Sequence, residues 1–193
     1  MITIVDYGLG NIAAFANVYN RAFNSAYLGG DGKELLATDH PSAAGTWSNE
    51  LSTPAALSEA GLEDSCVQVM NATNSRGLKI SLRPTRLIVS TANSFEAERI
   101  LKSTLQNDTA NNAINALRST SAVPEFTVNH YLTNANYWYL KTNAPSGLTW
   151  MDREAVGFQK DTDFDTDNAK AKSYMRFSVG WTDPRGLYGS AAP

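Results

Sequence analysis

Side chains that could act as nucleophiles, bases or metal ligands are scarce in this sequence. It contains one cysteine, Cys66, and two histidines, His40 and His130. Zinc sites draw about four ligands from such residues, and a catalytic thiol needs a base beside it. Cys66 lies in an apolar helical pattern, where a lone cysteine usually packs as a small hydrophobe, and His130 lies in an aromatic-rich strand pattern that predicts a packing role. We therefore predict no catalytic residue, no metal site and no cofactor.

An aspartate-rich stretch, DTDFDTDN at 161–168, has the oxygen ligands that calcium prefers. A calcium-binding EF-hand loop needs glycine at its sixth position and glutamate at its twelfth. Counting from Asp161, those positions hold Thr166 and Lys172, and the register from Asp163 fails in the same way. The pattern favours a solvated acidic turn, or one that pairs with basic residues of a neighbour, with calcium binding as the alternative.

The opening of the chain carries another motif with a chemical interpretation. DYGLGN at 6–11 follows a short apolar run. Over residues 1–12 it resembles the start of the glutamine amidotransferase subunit of imidazole glycerol phosphate synthase. Such an enzyme needs a cysteine on a tight, glycine-flanked turn and a histidine base. Cys66 sits in DSCVQV without flanking glycines, and His40 is followed by Pro-Ser-Ala. The sequence therefore disfavours an amidotransferase, which is kept as an alternative.

The first third of the chain predicts short elements followed by an extended segment. MITIV at 1–5 predicts a strand or an arm, and apolar residues at helical spacing predict an amphipathic helix over 13–23. GGDG between two apolar stretches predicts a hairpin within 26–37. The Pro-, Gly- and Ser-rich stretch 39–49 predicts a loop. Together, residues 26–53 are expected to form an extended, loosely packed excursion.

A long helix is predicted after this excursion. Thr53 is a suitable N-cap and Pro54 a suitable first helical residue. The apolar residues that follow share one helix face, and Arg76-Gly77 ends the pattern. The helix would contain about 20 residues and span about 30 Å.

The middle of the chain predicts one buried strand and two helices. Leu-Ile-Val at 87–89 is a short apolar run of the kind found in buried strands. Asn93, with Glu96 three residues later, resembles a capping box at the start of a helix. A further short helix is predicted at 110–117.

Alternating polar and apolar residues predict strands in the last third of the chain. Strands at 126–132 and 136–142 are separated by three residues and predict a hairpin, and another strand is predicted at 148–154. The clearest strand covers 171–183. Its apolar face consists of Met175, Phe177, Val179 and Trp181, and its polar face of Lys172, Tyr174, Arg176 and Ser178.

Length and charge restrict the function further. The 193 residues suffice for one domain of ordinary size, or for two very small ones. Only 18% are charged and the net charge is -3, which disfavours a strongly basic nucleic-acid binder. No apolar run approaches the roughly 18 residues of a membrane span, so no membrane partner is predicted.

A series of sequence blocks follows from about Ala16 to the end of the chain. The blocks are NRAFNSAYLGGDGKELLATDHP (20–41), TWSNELSTPAALSEAGLED (46–64), RGLKISLRPTRLIVS (76–90), FEAERILKS (95–103), NAINALRS (112–119), VPEFTVNHYLT (123–133), WYLKTNAPSGL (138–148) and DFDTDNAKAKSYMRFSVGWTDPRGLYGS (163–190). In this order they resemble the major capsid (coat) protein of tailed bacteriophages, of the type found in Mu-like prophages. The closing WTDPRGLYGS is the most specific block.

The resemblance implies the α+β fold of tailed-phage coat proteins and encapsulins. That fold has a peripheral domain with a spine helix, an axial domain near the capsomer axis, and an extended E-loop that reaches over the next subunit. For this chain it implies an N-terminal arm at 1–25, the E-loop at 26–53, the peripheral domain at 54–84 and 148–193, and the axial domain at 85–147. Family members are usually longer before the block that starts near Ala16, so the arm is expected to be atypical or truncated.

The resemblance also implies a function without catalysis. The chain is expected to be a structural subunit of an icosahedral head that self-assembles into pentamers and hexamers around the genome. Its partners would be other copies of itself, with scaffolding or decoration proteins in addition, and packaged DNA would be contacted only non-specifically. It would be located in the virion, and in the host cytoplasm during assembly. The alternative is a non-shell virion component, such as a decoration or tail protein.

Five charged residues are candidates for contacts between copies. Repeated contacts close into rings when the rotation permits, and charged pairs set their register. Arg176 lies on the polar face of the last strand, and Asp183 and Arg185 lie in the TDPRG turn, where a local salt bridge is the alternative. Lys33 and Glu34 are placed at a loop tip, where solvent exposure is the alternative.

Overall fold

The computed structural model describes residues 17–106, 113–145, 147–162, 165 and 168–191. Residues 17–20 are helical. The following elements, in chain order, are β1 (His40–Ser42), β2 (Gly45–Trp47), α1 (Glu59–Met70), β3 (Pro84–Val89), α2 (Ser94–Lys102), α3 (Ala116–Thr120), β4 (Phe126–Val128), β5 (Trp138–Thr142), β6 (Leu148–Thr162), β7 (Ala169–Trp181), a 3-10 turn (Pro184–Gly186) and β8 (Leu187–Ser190).

A four-stranded sheet in the order β4-β3-β5-β8 organises the core. Strand β4 runs parallel to β3, and the other neighbours are antiparallel. Successive strand residues point to opposite faces, so β3 and β5 supply two separate cores. Leu87 and Trp138 join helix α1 on one side, whereas Ile88 and Tyr139 pack with Leu35 on the other.

Helix α1 buries Leu62, Cys66 and Val69 against the sheet. It has 12 residues and begins at Glu59, where the side chain of Ser58 accepts a hydrogen bond from the Gly61 N–H. The predicted helix is therefore confirmed over Glu59–Met70, but its predicted start at Pro54 and its predicted length of about 20 residues are wrong.

The reason lies in residue 55, which the sheet holds in place. The Ala55 N–H donates to Ser190 Oγ at 2.8 Å, and the Ala55 carbonyl accepts from Trp138 Nε1 at 3.0 Å. The Ala55 carbonyl also accepts from Ser190 Oγ at 2.9 Å, so both of its lone pairs are used and it cannot accept the helical hydrogen bond from the Glu59 N–H. The helix therefore starts only after this segment has crossed the sheet edge.

The predicted strand at 87–89 is confirmed within β3, and the predicted helix after Asn93 is confirmed as α2. The capping box is wrong, because the Asn93 side chain makes no cap hydrogen bond and its amide instead donates to the Ala135 carbonyl. The short helix predicted at 110–117 is found slightly later, as α3.

The predicted hairpin between 126–132 and 136–142 is wrong. Strand β3 lies between β4 and β5 and pairs with both, in parallel with β4 and antiparallel with β5. The apolar residues of β3 are buried on both faces, which favours the central position of the sheet. His130 lies beyond the end of β4 and is exposed, so its predicted packing role is also wrong.

The loosely packed excursion expected at 26–53 is wrong for much of its length. Leu35 and Leu36 are each 1% exposed, and His40 and Asn49 are fully buried. GGDG forms a turn without flanking strands. The predicted loop at 39–49 contains the β1–β2 hairpin instead.

In the C-terminal half of the chain, β6 and β7 form a long two-stranded ribbon with an extended surface. The strands have 15 and 13 residues and pair antiparallel from Leu148 with Trp181 to Thr162 with Ala169. The predicted alternation of β7 is confirmed, because Met175, Phe177 and Val179 are partly buried whereas Arg176 and Ser178 are exposed. Strand β6 is more than twice as long as predicted, and two irregularities interrupt its register between Asp152 and Gly157.

Some predictions concern residues outside the described ranges. These are the strand or arm at 1–5, the DYGLGN motif, the first parts of the helices at 13–23 and 110–117, and half of the acidic stretch at 161–168. In the described part of the chain, no helix has the length and apolar character that a membrane crossing requires. The peripheral and axial domains stay a prediction.

Candidate inter-subunit surfaces

The polar face of the ribbon carries the first candidate residue. Arg176 is exposed and lies opposite Glu154, and Lys172 lies opposite Gln159. Cross-strand neighbours of opposite charge stabilise a ribbon modestly. The hydrogen bond to Glu154 raises the pKa of the Tyr174 hydroxyl above its usual value. This face can therefore offer both charges and hydrogen-bond donors to another chain.

The apolar face of the ribbon changes character along its length. Near its root, Trp150 stacks on Phe177 with ring centroids 4.2 Å apart. Farther out, Phe158 is 61% exposed, and Val156, in the irregular part of β6, is 67% exposed. Large apolar side chains grouped on a projecting ribbon are typical of a surface that packs against something else.

Asp183 and Arg185 are held by contacts within the chain. Arg185 Nε donates to the Thr73 carbonyl at 2.7 Å, and its Nη1 lies 3.3 Å from Asp183 Oδ1. The guanidinium lies over the Trp47 ring, 4.3 Å from its centroid. The Asp183 carboxylate also accepts from the Arg185 N–H. These contacts agree with the local salt bridge, and a contact of these two residues with another copy stays a prediction.

Lys33 and Glu34 differ in their local partners. Lys33 forms an ion pair with Asp39, and that hydrogen bond raises the pKa of the Lys33 ammonium group. Glu34 is half-buried and acts on Glu50, whose pKa is raised first by burial and then by repulsion from Glu34. A role of either residue between copies stays a prediction.

The surroundings of Cys66 disfavour a nucleophilic role. Cys66 is buried in α1, and burial, followed by the nearby Glu63 carboxylate, raises the pKa of its thiol to about 11. A thiol with such a pKa has little thiolate at neutral pH. Within the described ranges, no group of three or more His, Cys, Asp or Glu side chains is placed to hold a metal ion.

Sequence reasoning missed the outer half of β6, which includes Val156 and Phe158. The register irregularities around Arg153 and Ala155 disturb the alternation there, so no period-two pattern marks the strand. The length of β6 could have been predicted from its partner strand β7. The long alternation of β7 requires an equally long neighbour to satisfy its backbone hydrogen-bonding groups.

Comparison with known proteins identifies the class. A family model described as phage capsid protein matches residues 10–190. This chain therefore belongs to the phage capsid protein family, as the sequence blocks predicted.

Two solved structures are similar to this chain at 12% sequence identity. One is a virus-like particle from Pyrococcus furiosus, with a TM-score of 0.41, for which 74% of this chain and 55% of that chain are covered. The other is a phage-related protein from Bordetella bronchiseptica RB50, with a TM-score of 0.48 and coverage of 92% and 58%. The chain thus spans a little over half the length of both. No curated protein matches it.

Proposed function

We propose that this chain assembles with copies of itself into the pentamers and hexamers of an icosahedral phage head, with the β6–β7 ribbon reaching a neighbouring subunit. Family membership supports the structural role. The exposed ribbon is the observation that carries the assembly mechanism, because a two-stranded ribbon is marginally stable in water without a surface to pack on. Val156 and Phe158 would be buried at that contact.

The role of the extended E-loop, which reaches over the next subunit, is thereby assigned to residues 148–181 in place of 26–53. Much of 26–53 is packed into the core, whereas the outer ribbon is exposed on both faces. Arg176 would set the register of the contact through its charge. Helix α1 remains our candidate for the spine helix, and 85–147 for most of the axial domain.

The finer assignments from the sequence resemblance remain part of the proposal. They are the Mu-like type of coat protein, a non-enzymatic role, scaffolding or decoration proteins as further partners, non-specific contact with packaged DNA, and assembly in the host cytoplasm. The charged turn residues Asp183 and Arg185 are proposed to support the ribbon root from within the subunit.

Substitution of one ribbon residue tests the proposal. Phe158→Ser should remove apolar contact area between copies while leaving the core of each subunit unchanged. Phe95→Ser is the matched control, because Phe95 is 76% exposed on α2, away from the ribbon. Negative-stain electron microscopy and light scattering should show rings, tubes or shells for the parent chain and the control, and smaller species for Phe158→Ser.

Two outcomes would contradict the proposal. Normal assembly of Phe158→Ser would exclude Phe158 as an important contact between copies. A parent chain that stays monomeric at high concentration, but binds preformed capsids, would favour the non-shell virion component instead.

A further inference from the structure

A buried polar cluster around His40 has no part in the proposed assembly. His40 and Asn49 are both fully buried. The His40 ring places Nδ1 2.7 Å from Asp31 Oδ2 and Nε2 3.0 Å from Asn49 Oδ1. Both ring nitrogens therefore face an oxygen atom. The orientation of the Asn49 amide decides whether the atom that faces Nε2 is an acceptor oxygen or a donor nitrogen.

The Asn49 amide has only one orientation that satisfies its neighbours. Its two N–H groups are shared among three backbone carbonyls, those of Leu35 at 2.7 Å, Pro184 at 3.1 Å and Leu187 at 3.0 Å. Its oxygen accepts from the Ala37 N–H at 3.0 Å. A rotated amide would place oxygen against these carbonyls and nitrogen against an N–H, so the atom facing His40 is an acceptor.

We propose that His40 is held as an imidazolium whose second proton fixes the Asn49 amide, and that this amide latches the 31–49 segment to the C-terminal turn at 184–187. Nδ1–H donates to an ionised Asp31, and Nε2–H donates to Asn49. A neutral imidazole has one N–H and would leave a nitrogen lone pair facing an oxygen. The Asp31 side chain keeps 22% of its surface exposed, which allows its charge to stay hydrated. This inference does not depend on the assembly proposal.

The surroundings leave Asp31 as the direct counter-charge of His40. The other charged groups of these segments pair with one another: Lys33 with Asp39, and Arg185 with Asp183. Glu34 and Glu50 act on each other. Arg185 lies over the Trp47 ring, which also stacks on the His40 ring at 4.7 Å. The Arg185 guanidinium therefore contacts the Trp47 ring, whereas the Asp31 carboxylate contacts the His40 ring directly.

The latch predicts a pH dependence with a definite sign. An unfolded histidine releases its proton above about pH 6.5. Because the folded chain retains that proton, the free energy of unfolding should fall as the pH rises above this value. Loss of the proton should loosen the 31–49 segment and the 184–187 turn before it affects α1.

Nitrogen-15 NMR of the histidine rings in the full chain tests the protonation state directly. With only two histidines, a His130→Gln variant assigns the signals. At pH 7.5 we expect both His40 ring nitrogens to show the shifts of protonated nitrogen. One unprotonated His40 nitrogen at that pH would overturn the proposal.

A pair of isosteric variants tests the latch. Asp31→Asn removes the counter-charge, and Asp39→Asn breaks the neighbouring exposed ion pair as a control. From pH 6 to 9 the urea midpoint should fall by about 0.5 M or more in the parent and in Asp39→Asn, and by clearly less in Asp31→Asn. An unchanged pH dependence in Asp31→Asn would refute the latch, and if this variant does not fold, the NMR result on the parent decides.

Discussion

Arg185 and Arg176 have the same side chain in very different surroundings. Arg185 keeps 13% of its side chain exposed, donates to the Thr73 carbonyl and lies over Trp47. Arg176 is exposed on the ribbon opposite Glu154. The charge of Arg185 is used within the subunit, whereas that of Arg176 remains accessible to a neighbour.

Alanine substitution should separate these two roles. Arg185→Ala should lower the free energy of unfolding by about 1–3 kcal/mol, because it removes a hydrogen bond of a charged group and packing on Trp47. Arg176→Ala should change it by no more than about 0.5 kcal/mol. Urea unfolding of both variants checks this, and an equal effect would show that burial of Arg185 adds nothing.

Helix α1 shows how an element can begin away from its best local signal. Thr53 and Pro54 form a good helix start, but Ala55 is bonded to Ser190 and Trp138 across the sheet edge. Ser58 is the next residue that can cap, and its hydroxyl accepts from the Gly61 N–H at 3.2 Å. The long-range hydrogen bonds therefore override the local signal.

Removal of each candidate N-cap, Ser58 or Thr53, should show which of the two residues begins helix α1. Ser58→Ala should lower the free energy of unfolding by about 0.5–2 kcal/mol, the usual contribution of an N-cap. Thr53→Ala should have almost no effect, since Thr53 is exposed and lies outside the helix. Thermal unfolding followed by circular dichroism measures both effects. A larger loss of stability in Thr53→Ala than in Ser58→Ala would support the longer helix that begins at Pro54.

At the scale of the whole molecule, the important junction is the root of the ribbon. Here Gly147 and Gly186 bring two backbone segments into close contact, since a Cβ on Gly186 would lie 2.5 Å from the Gly147 Cα. The Thr182 N–H also donates to the Gly147 carbonyl at 3.2 Å. This contact joins the ribbon to the 3-10 turn that leads into β8, so it sets how the ribbon leaves the sheet.

Widening this contact should disturb the whole subunit. Gly186→Ala should cost about 1–3 kcal/mol of stability by overpacking and should reduce assembly, because the ribbon root must move. Gly30→Ala is the control, since a Cβ there meets nothing within 4 Å. Urea unfolding and electron microscopy test both effects, and a fully stable, normally assembling Gly186→Ala would mean that the ribbon direction tolerates this shift.

The sequence by itself determined the family, the position of α2, the buried strand β3 and the two faces of β7. Each of these depends on local information: consecutive blocks in order, an apolar run, or a period of two or 3.6 residues. Membership of the phage capsid protein family follows from the same information, because the family model matches residues 10–190.

Only the tertiary structure decided which segments meet. The insertion of β3 between β4 and β5, the burial of Leu35 and Leu36, and the late start of α1 all depend on partners distant in the sequence. The same is true of the roles of Arg185 and His40. A period shows which face of a segment is apolar, but the surface that covers this face is chosen by competition among all segments of the chain.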